Sequence, residues 1–200
     1  MDFATETDRN PPTIDTELGE RIKALRSRLK LTIEDLAARS GVSRAMISKI
    51  ERGESSATAQ LLGRLCGALG VTMSTLFARP ARNPAPLCRR EEQRVWRDPG
   101  SGYVRRSVSP PGTTGMLDLV EVVLPPGAIV AFERQHLSGV DQLVWVLEGA
   151  LDMVIGDENY ELHSGDCLHM RLDEPTTFRN CSAAPVRYAV VLAHGRNPLR

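Results

Sequence analysis

The sequence contains no apolar run approaching the ~20 residues that a membrane-crossing helix needs. Its first twelve residues, MDFATETDRNPP, are acidic and polar, without the basic start and apolar stretch of a secretion signal. Both absences predict a chain that stays in the cytoplasm. Cysteine is sparse: Cys66, Cys88, Cys167 and Cys181 form no CxxC pair. That predicts buried thiols in a reducing compartment, with the closer-spaced Cys167 and Cys181 as the alternative, a redox pair. Aromatic residues make up only 4 % of the chain, so any core must rest on Leu, Val, Ile and Ala. No internal repeat is evident.

Net charge is absent too, since 25 basic and 25 acidic residues cancel over 200 positions. The cancellation hides an asymmetry. Leu18 to Arg79 holds eleven Lys and Arg against five Asp and Glu, a net +6, whereas Pro110 to Gly195 holds four Arg against twelve acids, a net −8. A basic excess suits a domain that meets phosphates, and an acidic body repels them. Any nucleic-acid face therefore belongs to the first eighty residues.

Residues 1–15, with Pro11-Pro12 and little to bury, read as a disordered arm. The period then becomes helical. Leu18, Ile22, Leu25 and Leu29 share one face, with Arg21, Arg26 and Arg28 away from it. Thr32 and Asp35 fit a capping box, and Gly41 permits the left-handed turn that ends a second helix. Ser43 caps a third helix ending near Arg52-Gly53, Thr58 opens a fourth with Leu61, Leu62, Leu65 and Leu69 inside, and Thr72 caps a short fifth. This predicts an all-α domain over 16–78. A proline-rich linker follows over 79–86.

Two helices joined by a short glycine turn present the second outward. With Val42, Ile47 and Ile50 inside, the third helix offers Arg44, Ala45, Ser48 and Lys49 outside. Those types read a major groove: Arg or Lys to guanine, and a small Ala beside a thymine methyl. Through the stretch GVSRAMISKIERGES, with its turn glycine, paired isoleucines and Glu-Arg-Gly ending, the segment resembles the lambda-repressor-like, or Xre-type, helix-turn-helix family. The resemblance implies base contacts from Arg44, Ala45 and Lys49. It also implies phosphate contacts from Ser43, Ser48, Arg52 and Ser55 and from the amides opening the fourth helix. One departure is Ala57, where relatives often carry proline.

From 87 to 200 the punctuation changes. Short runs such as LDLVEVVL, QLVWVLEG, LDMVIGDENYEL and VRYAVVLA alternate with Pro-Gly, Ser-Gly or Gly-Asp turns, which predicts an antiparallel barrel or sandwich. Pro125-Pro126-Gly127, the strand ending at Gly149, the Ser164-Gly165-Asp166 turn and Pro175 to Asn180 resemble the cupin family, a jelly-roll barrel. Enzymatic cupins hold a divalent metal with three His and a Glu. By position these fall on His136, Ser138 and Thr176 for the histidines and Gln142 for the glutamate. One imidazole, two hydroxyls and an amide make a poor site for Fe, Mn, Ni or Zn. His163, His169 or Cys181 could rescue it only from other segments.

The residues therefore predict no cofactor, no metal and no catalysis, but a pocket lined by Arg134, His136, Ser138, Gln142 and Thr176. Alternation places Val144 and Val146 inward and Arg179 outward, while Trp145, Met153, Met170 and Phe178 are read as packing. If Arg134 points inward, the ligand is anionic. The expected whole is a homodimeric, sequence-specific DNA-binding regulator whose affinity for an inverted-repeat operator responds to a small molecule. The rival readings are a metal-dependent dioxygenase or isomerase with an accessory helical domain, and a protein-interaction module.

Overall fold

The computed structural model describes residues 13–78, 85–112, 117–135, 137 and 139–194. The helical half comprises α1 (Ile14–Arg28), α2 (Ile33–Ser40), α3 (Arg44–Glu51), α4 (Ala59–Leu69) and α5 (Met73–Phe77). Each opens on a Ser or Thr whose hydroxyl accepts a free first-turn amide: Thr13, Thr32, Ser43, Thr58 and Thr72. At Thr32 the box is reciprocal, Asp35 accepting from the Thr32 amide at 2.8 Å. Gly41 takes the left-handed φ of 63° that turns α2 into α3.

Leu18, Ile22 and Leu25 are buried, as their spacing predicts. Leu29 is not: α1 ends at Arg28, and Leu29 beyond it is 45 % exposed. Arg26 also departs from the expected outward face. It reaches inward and grips the Glu51 carboxylate with two bonds of 2.7 and 2.8 Å, while donating to the Leu31 carbonyl. This bidentate pair ties α1 to the end of α3.

The second half contains ten strands among the described residues: β1 (Val95–Arg97), β2 (Val104–Ser107), β3 (Leu117–Leu124), β4 (Ile129–Phe132), β5 (Val140–Glu148), β6 (Ala150–Ile155), β7 (Glu158–His163), β8 (Cys167–Arg171), β9 (Thr176–Arg179) and β10 (Val186–His194). All pairings are antiparallel, in one sheet ordered β1-β2-β3-β10-β5-β8 and another ordered β4-β9-β6-β7. The two sheets form an open jelly-roll, the cupin architecture. Val144 and Val146 are fully buried, and Val120, Val122, Leu124, Tyr188 and Leu192 join them from β3 and β10. Asn180 closes one end, its amide donating to the carbonyls of Leu124 and Ala184.

The halves are packed together. Gly63 of α4 meets Phe132 of β4 so closely that an added Cβ would lie 2.7 Å from the ring. Phe77 of α5 packs at a tilt against Trp96, ring centroids 5.3 Å apart, and Trp96 meets Tyr103 edge-on at 5.8 Å. Arg94 pairs with Glu17 of α1 at 2.6 Å. Of the four thiols only Cys66 is buried; Cys88 is half-buried, and Cys167 and Cys181 are exposed, against the expectation of buried thiols.

Candidate nucleic-acid interface and barrel cavity

The seat of α3 is apolar. Ile47 and Ile50 are buried against the other helices, which fixes the orientation of the opposite face. On that face Ser43, Arg44, Ala45, Lys49 and Arg52 are exposed, and Ser48 is half-buried. Ser55 follows on the next turn, half-buried, its hydroxyl toward the Met46 sulfur at 3.8 Å. Arg44, Ala45 and Ser48 line a shallow depression with Ile33 and Glu34 of α2.

Two of the three cations on this face are already paired. Arg44 contacts Glu34 at 3.1 Å. Arg52 grips both carboxylate oxygens of Glu54, at 2.6 and 2.7 Å, and donates to the Ser48 hydroxyl. Hydrogen bonding from Arg52 holds the Glu54 carboxyl below its ordinary range. Such exposed pairs are weak and exchange readily for phosphate. Lys49 has no ion-pair partner among the described residues.

The amides opening α4 differ from expectation. Ala59 donates to the buried Asp98 carboxylate of the barrel half at 2.9 Å, and Leu61 donates to Thr58, so these groups are taken. Asp98 is itself fixed by the amides of Gly100 and Ser101 and by the Ser101 hydroxyl.

Inside the barrel lies a cavity with room for water-sized spheres over about 90 Å³, several times what one water requires. Gln142 and Thr176 line it, as their strand positions predict. Arg134 does not. β4 ends at Phe132, so the alternation used to point Arg134 inward has stopped, and its exposed guanidinium pairs with Glu174 at 2.8 Å. His136 and Ser138 lie outside the described residues. Arg179 is exposed, as its strand parity predicts, and Met170 and Phe178 form walls of the cavity. Trp145, expected in the packing, is 49 % exposed on the outer face of its sheet.

Several cavity groups are not among the residues that the sequence pointed to, among them Tyr103, Arg105 and Tyr188 from the barrel and Ser74 from α5. Arg105 is 4 % exposed. It donates to the hydroxyls of Ser107 at 2.9 Å and Ser74 at 2.8 Å, and its guanidinium stacks 4.7 Å from the Phe77 ring. Thus α5 of the helical half closes one side of the cavity.

Of the four positions where a cupin enzyme holds its metal, two lie among the described residues. Gln142 and Thr176 are neutral, and no cluster of three or more His, Cys, Asp or Glu forms among the described residues. His163, His169 and Cys181 offer no rescue: both histidines are exposed and face Glu161 and Asp141, and the Cys181 thiol sits beside Asp152, which pushes its pKa up.

Comparison with known proteins matches a helix-turn-helix family model over residues 22–76 and a cupin-domain model over residues 120–192. The chain is 27 % identical over 180 residues to the HTH-type transcriptional regulator SutR of Escherichia coli, covering 90 % of this chain and 96 % of that one. It is 23 % identical over 176 residues to the E. coli regulator PuuR, covering 88 % and 93 %. A crystal structure of an HTH_3 family transcriptional regulator from Vibrio cholerae superposes with a TM-score of 0.73 at 22 % identity, over 92 % of this chain and 98 % of that one. That likeness establishes the shared fold of both halves.

Proposed function

From the premise that this chain is a helix-turn-helix transcriptional regulator with a C-terminal cupin domain, we propose that it reads a specific operator with α3 and adjusts that binding to a small molecule in the barrel. One observation carries the reading: α3 rests on buried Ile47 and Ile50 and turns Arg44, Ala45 and Lys49 outward together. Ser43, Ser48, Arg52 and Ser55 flank them and supply phosphate contacts, which fix register without reading sequence. The +6 excess of this half adds attraction to the DNA backbone.

The protein acts as a homodimer. Leu117 and Leu119 of β3 and Leu143 and Trp145 of β5, each more than a third exposed, lie on the outer face of one sheet, bridged by Val191 of the intervening β10, which pairs with both Leu119 and Leu143. A contiguous apolar patch of this kind marks a partner surface. A two-fold pair would present two α3 helices to half-sites one turn apart, ~34 Å, or a multiple of it. The barrel holds an effector and carries out no reaction, since Gln142 and Thr176, at two of the positions where cupin enzymes hold their metal, are neutral and suit no divalent ion. The setting is the cytoplasm, where the DNA lies.

Selection of bound duplexes from a random library by the full chain tests this. An inverted repeat should emerge. Lys49→Ala should cost ~1–3 kcal/mol at one base-pair position per half-site and leave other positions unchanged. Recovery of random sequence, or equal preferences for both proteins, would remove α3 from its role.

A further inference from the structure

The cavity holds a buried cation among hydroxyl and amide groups, with the carboxylates of Glu133 and Glu174 exposed at the rim. Arg105 is buried and, among the described residues, no carboxylate lies within ion-pair distance of it. Its two hydrogen-bond partners are neutral serines. Asp118, the acid nearest in influence, is engaged by His194 at 2.8 Å. Burial opposes the charged form of Arg105, yet a guanidinium keeps its proton in such settings. An uncompensated buried charge is costly, and a structure that keeps one has a use for it.

Two phenols stand beside it. Tyr103 precedes Arg105 by two residues and shares its inward side. Tyr188 lies in the same transverse row, since Arg105 and Tyr188 both pair with Val122, about 10 Å apart at two strand spacings. The two rings are 5 % and 3 % exposed, and neither hydroxyl meets a hydrogen-bond partner among the described residues. Burial raises both phenols, Tyr103 to about 12, so each keeps its proton and can donate. The Gln142 amide adds another donor, held only by the weakly accepting Met170 sulfur at 3.5 Å. The carboxylates of Glu133 and Glu174 lie at the exposed rim and are already engaged by Arg64 and Arg134.

We propose that this cavity binds a small carboxylate on the Arg105 guanidinium, with Tyr103 and Tyr188 donating to the same anion, and that Ser74 of α5 relays occupancy to the DNA-reading half. The inference rests on the reading of the barrel as an effector site and names its chemistry. A carboxylate matches the guanidinium fork with two oxygens and neutralises its charge, which a neutral guest cannot do. The anion competes with Ser74 for the guanidinium Nη2. Filling the cavity therefore changes how α5 is held against the barrel, and α5 packs directly on α1 and α4.

The test is thermal denaturation of the full chain with three matched series at constant ionic strength: C2–C6 carboxylates, their primary amides and the corresponding primary amines. At least one carboxylate should raise Tm by about 5 °C or more at saturation, with its amide inert. Arg105→Gln and Tyr188→Phe should each weaken that carboxylate about tenfold or more, while Arg134→Gln binds as the parent does. Ser74→Ala should still bind the carboxylate but lose its effect on operator affinity. Should Arg105→Gln fail to fold, Arg105→Lys keeps the charge without the fork and should weaken binding comparably. Stabilisation by amides or amines alone would overturn the anion assignment while leaving the effector reading standing. Stabilisation by none of the three series would sink both. Carboxylate binding that survives Arg105→Gln and Tyr188→Phe would move the site elsewhere.

Discussion

Arg52 and Arg105 carry the same side chain and occupy opposite electrostatic situations. Arg52 lies on the surface, gripped by the Glu54 carboxylate and open to solvent. Arg105 lies inside, held by two serine hydroxyls and an aromatic face, with no countercharge among the described residues. A surface cation can trade its carboxylate for a phosphate at little cost, which suits a face that must let go of DNA as well as bind it. A buried cation held only by neutral hydroxyls leaves its charge uncompensated, which suits a site awaiting an anionic ligand. Arg26 makes the third case, half-buried and paired through two bonds with the buried Glu51, which ties α1 to α3.

Breaking the Arg26–Glu51 pair should cost most. Arg26→Ala leaves Glu51 with an uncompensated charge at 5 % side-chain exposure, and urea denaturation should register a loss of about 3 kcal/mol. Removing the unpaired buried charge should act in the opposite direction. Arg105→Met, similar in volume, should leave the ligand-free chain as stable as the parent or stabilise it by ~1–4 kcal/mol. A loss of several kcal/mol would instead make Arg105 a structural strut. Asp98→Asn weakens the cap on the Ala59 amide and should cost about 1 kcal/mol, read as a lower denaturation midpoint. Arg52→Gln should leave the midpoint unchanged, while DNA affinity falls evenly across sequences and its salt dependence becomes shallower.

The helical half was legible because its signals are local. Caps at Thr32, Ser43, Thr58 and Thr72, the turn at Gly41 and the apolar period fix each helix within a few residues of sequence. Gln142, Val144 and Val146 were legible for the same reason, since strand alternation needs only parity. Arg134 misled because parity was extended past the end of β4, where no strand carries it. Tyr103 and Arg105 were missed because GYVRRSV, with adjacent arginines, reads as a solvated edge strand. Burial of Arg105 depends on β3 beside it and on α5 across the barrel mouth, contacts that no local pattern encodes. Trp145 faces outward because the same alternation that buries Val144 and Val146 exposes the residue between them.

The most direct measurement is fluorescence anisotropy of the full chain on its selected duplex and on a scrambled duplex of identical composition, over a range of salt. Reading by α3 predicts affinities separated by ~10³ or more, a gap that persists as salt weakens both. Equal affinities converging on one salt line would mean that the exposed face of α3 contacts only the backbone, and the account of a sequence-reading regulator would be wrong.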